Sequence, residues 1–259
     1  MSSPVVAITG IGLWTPGFAT AAAWAAGAPD AEAQKPLGKS LDRVNRRRAS
    51  ALARALADTV AEAAAQAGAD LATIPAVVGS SIGEAATMIG LLDELWRTGN
   101  PMSPADFAMS VHNAASGLIS ITNKNRGITT SLAADSDTPA AALFEAIGLA
   151  LTEDSPAVVA CGDEPAPPTL VQHAPPWAML ATALVLAPLD RAPNPLALLH
   201  VTEAGEPLPV SDRFGPLLLE NPQYGLAAVA DAVLARRSGV VALDRGNGRG
   251  YRAVLECHG

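Results

Sequence analysis

The sequence predicts an α/β layer fold. Apolar runs of strand length, such as "AVVACG" (157–162) and "ATALVLA" (181–187), alternate with longer stretches whose apolar residues recur at helical spacing. Alanine is abundant while aromatic residues make up only 4% of the chain, a composition suited to helices packed closely on sheets. No internal repeat of solenoid length and no low-complexity tail competes with this reading.

In chain order, "VVAI" (5–8) reads as a short buried strand that breaks at Gly10 and Gly12. Residues 43–70 read as one long helix, with Leu52, Leu56, Val60 and Ala63 or Ala64 at helical spacing and Gly68 as its stop. A second strand, "IPAVVGSS" (74–81), precedes a helix over 84–99 that places Met88, Leu91, Leu92, Leu95 and Trp96 on one face and ends at Gly99. Residues 103–121 predict a further helix, rich in small side chains that let two backbones approach closely. A strand over 129–134 leads into a helix whose N-cap and first turn are Thr138 and Pro139. The proline-rich "EPAPPTLVQHAPP" between the strands at 157–162 and 181–187 is loop. After about residue 188 the pattern weakens to one or two short strands. A helix (226–239), a strand (240–244), the glycine turn "RGNGRG" and a terminal strand "YRAVLE" close the chain.

Composition excludes several functions. A formal net charge of −8 opposes binding to a nucleic-acid backbone. Cys161 and Cys257 form neither a disulfide framework nor a metal site, and His112, His173, His200 and His258 include no pair at metal-ligand spacing. No metal and no cofactor is expected. In "GIGLWTPG", Gly10 and Gly12 match the first two glycines of a dinucleotide fingerprint, but Thr15 stands where the third belongs. The opening "MSSPVVAITG" lacks a basic segment ahead of an apolar run, and no stretch reaches the roughly 18 apolar residues of a membrane span. A cytoplasmic setting is the expectation. His173 and His258 read as bystanders. His112, beside Asn113, reads as a hydrogen-bonded core or interface histidine, with a catalytic role as the alternative. The basic run Arg43, Arg46, Arg47, Arg48 reads as a solvated helix start or as a surface for an acidic partner.

The corner in "TTSLAADSDTPAAALFEAIG" (129–148) has the form that holds up a nucleophile in many α/β enzymes. A helix N-terminus carries about half a positive charge and favours an anion there. Here Asp135 and Asp137 flank Ser136, take up that field and oppose an alkoxide. No spaced Ser/His/Asp set supplies a base, and the corner is not a G-x-S-x-G elbow. An inactive capped turn fits this chemistry better than a nucleophile.

The ordered blocks "VVAITGIGLWTPG", "RRRASALARALADTVAEAAAQAG", "AVVGSSIGE" and "PMSPADFAMSVHNAASGLISI" resemble the N-terminal half of β-ketoacyl synthases, which have the thiolase-like fold. The block around "SVHNAASG" is most similar to a short subgroup found with type II polyketide systems that make aryl polyenes. The resemblance covers about residues 4–190, and the terminal "VVALDRGNGRGYRAVLE" resembles the glycine-rich final strands of a ketosynthase. It implies a truncated thiolase-like α-β-α fold in a single domain over 1–259, with a recognisable half at 1–190 and a reduced part at 191–259.

The resemblance also implies a loss of chemistry. The family's active cysteine falls on Ser136 when Gly127 and Leu132 are matched to its pattern, or on Asp135 with a shift of one. Cys161 lies one strand too late. The two histidines of the family's C-terminal half, one in an H-G-T-G-T motif, have no counterpart. The implied role is that of a chain-length-factor-like subunit, paired with a catalytic ketosynthase or with a second copy of itself. Contacts would come from the 103–121 helix and the 129–134 strand, with His112, Asn113, Ala114, Ala115, Gly117 and Ser131 at the interface. Met88, Phe107, Met109 and Leu118 are candidates to line an acyl channel, or plain core. Arg46, Arg47 and Arg48 are candidates to dock an acyl carrier protein. The competing readings are a homodimeric docking scaffold, and an acyl hydrolase or acyltransferase that uses Ser136 with Asp135, Asp137 or His112 as base.

Overall fold

Eight strands form one sheet in the order β3-β2-β4-β5-β1-β6-β8-β7. They are β1 (Val6–Trp14), β2 (Ala76–Gly79), β3 (Thr129–Leu132), β4 (Ala157–Asp163), β5 (Leu180–Ala187), β6 (Ala197–Thr202), β7 (Gly239–Ala242) and β8 (Arg252–Cys257). The structure, a computed structural model, describes residues 3–99, 101–170, 176–244 and 246–258. His173 and part of the proline-rich loop lie outside the described residues. β2 runs parallel to β3 and β4, and the remaining pairings are antiparallel.

The helices are α1 (Ala21–Ala26), α2 (Arg43–Arg48), α3 (Ala51–Ala67), α4 (Ala85–Thr98), α5 (Pro104–Phe107), α6 (Ala114–Asn123), α7 (Thr138–Thr152), α8 (Pro216–Leu219) and α9 (Tyr224–Leu234). Helices α1, α7 and α9 cover one face of the sheet, and α3 and α6 cover the other. The period of two along a strand divides its side chains between these layers. In β5, Leu180, Leu184 and Leu186 join the α7–α9 side, whereas Ala181, Ala183 and Val185 join the α3 side. Burial on both faces is why β4 and β5 read as unbroken apolar runs.

β1 does not break at Gly10 and Gly12; it continues to Trp14. A Cβ on Gly10 would lie 2.0 Å from the Ala63 carbonyl oxygen, and one on Gly12 would lie 2.0 Å from that of Thr59. These glycines let α3 lie directly on the strand, the use that closest backbone approach makes of glycine. The long helix expected over 43–70 is two helices. Asp42 accepts from the Val44 and Asn45 amides to cap α2, and Ser50 Oγ accepts from the Ala53 amide at 2.9 Å to cap α3. Gly68 ends α3 in the left-handed conformation, as predicted.

The helix expected over 103–121 is likewise divided into α5, capped by Ser103, and α6. Thr138 lies inside α7 rather than at its cap, because its hydroxyl donates back to the Asp135 carbonyl at 2.7 Å. On α4 the predicted apolar stripe exists, but of its members only Leu91 is buried, and Trp96 is 77% exposed. Past residue 190, β6 extends the sheet from the far side of β1 and carries β8 and β7.

Candidate functional site: the corner at Ser136

β3 ends at Leu132, and the chain turns through a 3₁₀ segment, Asp135–Asp137, into α7. Asp135 has φ +50°, a left-handed conformation that aspartate tolerates better than most residues. Two hydroxyls hold it there. Ser81 Oγ donates to the Asp135 carbonyl at 2.8 Å and Thr138 Oγ1 donates to it at 2.7 Å, while Thr138 Oγ1 accepts from the Ala134 amide.

Beneath this turn lies a buried polar cluster. Asp163, at the end of β4, is fully buried and accepts four hydrogen bonds: from Ser80 Oγ (2.5 Å), the Ser81 amide (3.0 Å), the Ile82 amide (3.2 Å) and Gln223 Nε2 (2.7 Å). Burial pushes its carboxyl above the usual range, and the four donors pull the other way. Gln223 Nε2 also donates to Ser81 Oγ at 2.9 Å, so one amide links Asp163 to the hydroxyl that holds the corner. Asn221 closes the cluster from behind by donating to the carbonyls of Asp163 and Ala178. From a third direction, the Arg249 amide in the glycine turn donates to Asp137 Oδ1 at 2.8 Å.

Ser136 is half-buried, and its hydroxyl has no hydrogen-bond partner among the described residues. His112 is tied to the loop after β2 through one ring nitrogen. The His112 Nε2–H donates to the Ser80 carbonyl at 2.8 Å, and the ring lies where a Cβ on Gly83 would come within 2.8 Å of it. Asp137 is engaged by Arg249, and Asp135 is exposed. Cys161 cannot serve as a nucleophile from the neighbouring strand: it is fully buried, and burial together with the Asp163 charge pushes its thiol far up. The site presents a helix N-terminus and a serine hydroxyl that has no hydrogen-bond partner among the described residues.

The remaining predicted residues fall into distinct places. Ala115 and Leu118 are buried against the chain's own α3 layer, Met109 packs on the same cluster, and Ala114 is also buried. Asn113 is exposed, Ser131 shares a 2.7 Å hydrogen bond with Ser116, and Gly117 faces open space where a Cβ would stand. Met88 and Phe107 are surface residues. Arg46, Arg47 and Arg48 are exposed on α2. Sequence reading missed Ser80, Ser81, Asp163, Gln223 and Arg249. The only local signals were polar residues directly after buried strands, in "AVVGSS" and "ACGD"; Gln223 is far away in sequence and sends none.

A further buried carboxyl lies at the start of α4. Glu84 is 3% exposed; Ser50 Oγ donates to its Oε1, and its Oε2 has no partner among the described residues. Burial, reinforced by the charge of Glu164, raises its carboxyl to about 7. Glu164 is itself raised, first by burial.

The arrangement of corner, sheet and central helices has counterparts. The family described as beta-ketoacyl synthase, N-terminal domain, matches residues 21–207. The chain belongs to the β-ketoacyl synthase family. No curated protein matches the sequence. Among solved structures, a ketosynthase in complex with its chain length factor from Xenorhabdus doucetiae is similar, with 20% identity, TM-score 0.69, and coverage of 98% of this chain and 100% of that chain. The ishigamide ketosynthase/chain length factor has 16% identity and TM-score 0.70, covering 99% and 100%. A type II polyketide acyl-carrier protein in complex with its ketosynthase has 16% identity and TM-score 0.60, covering 75% and 67%. At these identities the likeness establishes the thiolase-like ketosynthase fold. Among the described residues no helix is long and apolar enough to cross a membrane.

Proposed function

We propose that this chain is a non-catalytic, chain-length-factor-like subunit that pairs with an active β-ketoacyl synthase in type II polyketide biosynthesis of the aryl polyene kind. One observation carries the reading: the corner where the family resemblance expects a cysteine holds Ser136 with no base hydrogen-bonded to it among the described residues, while the sheet edge leading into it is uncovered. Among the described residues β3 is hydrogen-bonded on one side only, to β2. Phe107, Val111, Ile121 and Ile128, in the segments before it, are all exposed. An unpaired edge strand beside exposed apolar side chains favours association. Asn113, Gly117 and Ser131 would meet the partner, and Ala114 and Ala115 would shape that surface from below. Met88, Phe107 and Met109 would wall an acyl channel once a partner covers them, with Leu118, already buried in the chain's own core, behind them. The heterodimeric complexes among the similar structures support this reading.

Co-expression with an adjacent ketosynthase, followed by size exclusion, tests it. The two chains should co-migrate, and Gly117→Arg should separate them without unfolding either. Separate migration of the wild-type chains, with polyene output unaffected by deleting this gene, would sink the proposal.

A second role is compatible with the first. Arg43, Arg46, Arg47 and Arg48 are exposed on α2, and none forms an ion pair among the described residues. In a chain of net charge −8, such a patch fits an acidic acyl carrier protein. Reversing Arg46, Arg47 and Arg48 to Glu should weaken carrier binding and reduce its salt dependence. An unchanged affinity and salt slope would remove the docking role.

A further inference from the structure

Apart from the corner, the chain contains a second formed site that the subunit role does not use. A cavity of about 410 Å³ opens between α9, β7, the loop 207–214 and the glycine turn after β7. That volume lies in the range of small-molecule sites. Its walls are apolar, from Leu208, Val210, Phe214, Ala228, Val241 and Tyr251. They are also braced. The Phe214 ring stands 5.0 Å from both Trp24 and Tyr224, and Tyr251 meets Phe144 edge-on.

Two aspartates and two arginines line this cavity, but they are not paired one to one. Asp231 is buried and receives Trp24 Nε1–H at 2.8 Å, Arg237 at 2.6 Å and Arg213 at 3.9 Å. Asp244 accepts from the Gly246 and Gly250 amides. Arg252 donates to the Gly205 carbonyl and has no carboxylate partner among the described residues. Among the described charged side chains of the lining, Asp231 pairs with Arg237 and Asp244 is held by the two glycine amides, which leaves Arg252 without a carboxylate. Both carboxylates are already satisfied by donors. The uncompensated cation is Arg252, on the cavity wall.

We propose that this cavity binds a small monocarboxylate with an apolar body, whose carboxylate pairs with Arg252 while its chain lies against Leu208, Phe214 and Ala228. Guanidinium–carboxylate recognition is charge-assisted and can be bidentate, so it selects an acid over an alcohol or ester of the same chain. The site is distinct from the corner but joined to it. Gly246 and Gly250, which line the cavity, belong to the turn whose Arg249 amide holds Asp137.

Isothermal titration of the full chain with octanoate, octan-1-ol and methyl octanoate tests the proposal. Octanoate should bind about tenfold or more tightly than either neutral analogue, the ratio expected of one charge-assisted pair. Arg252→Gln should erase that preference and leave octanol binding unchanged. Ala228→Phe, which fills the cavity, should abolish binding of all three; should that variant not fold, Val210→Trp on the flanking loop supplies the same block. No octanoate binding at millimolar concentration, equal affinity for acid and alcohol, or binding that survives a folded cavity-filling variant would each overturn the assignment.

Discussion

The Arg249 amide donates to Asp137 Oδ1 at 2.8 Å, joining residues that are 112 positions apart. Gly248 approaches the same carboxylate so closely that a Cβ there would lie 2.4 Å from Oδ1. The terminal glycine turn is thereby fastened to the start of α7. Asp137→Ala should cost about 1–2 kcal/mol in urea unfolding, the loss of a charge-assisted bond to a backbone amide. Hydrogen exchange should rise at Arg249 and its neighbours. Unchanged protection there would mean that the turn is held by other contacts.

Ser136 has a helix N-terminus behind it and no base hydrogen-bonded to it among the described residues. A fluorophosphonate probe should therefore leave Ser136 unlabelled. Ser136→Cys by itself should show neither decarboxylation nor condensation of carrier-bound substrates, because the two histidines that the family resemblance calls for have no counterpart in the sequence. Labelling that disappears in Ser136→Ala would revive the hydrolase reading.

Glu84 provides a pH signature. Its carboxyl is raised from 4.5 to about 7 in the folded chain, so between those values the native state holds a proton that the unfolded state releases. Its contribution is therefore complete below about pH 4.5 and is lost as pH rises towards 7. Glu164 and Asp163 shift in the same direction. Urea unfolding at pH 5, 6, 7 and 8 should show stability falling with pH. Glu84→Gln should flatten that slope by on the order of 2–3 kcal/mol across the range. An identical slope in wild type and variant would show that Glu84 titrates normally.

Two glycines make opposite predictions. Gly12→Ala drives a methyl to 2.0 Å from the Thr59 carbonyl oxygen, so α3 must lift off β1, at a cost of roughly 3 kcal/mol or more. Gly117→Ala meets nothing within 4 Å and replaces a poor helix former inside α6. The isolated chain should gain up to about 1 kcal/mol from it. Thermal melts of both variants decide the matter, and a stabilised Gly12→Ala would contradict the strand–helix contact.

Much of this was legible in the sequence because it depends on local pattern. Periodicity placed the strands at Ala157–Asp163 and Leu180–Ala187 and the helices at Ala85–Thr98 and Thr138–Thr152, and glycine chemistry placed the stops at Gly68 and Gly99. The ordered blocks were enough to recognise the family, and the absence of a cysteine at the corner was visible by inspection. The helix breaks at Ala49–Ser50 and between Phe107 and Ala114 were harder to read. At the first of these Ser50 competes with a continuous apolar pattern, and the cap wins by satisfying an amide that the pattern ignores.

Other features were decided only by tertiary structure. Gly10 and Gly12 read in sequence as the end of a strand; that they are the surface on which α3 lies is a tertiary fact. The four donors on Asp163 come from Ser80, Ser81 and Ile82, directly after β2, and from Gln223, so no window of sequence contains the cluster. The outward turn of the α4 stripe, with Trp96 in solvent, likewise depends on what packs against the helix. Local pattern determines which residues can form an element. Contacts between residues far apart in sequence, made where backbone approach and buried polar groups must be satisfied together, decide what those residues do.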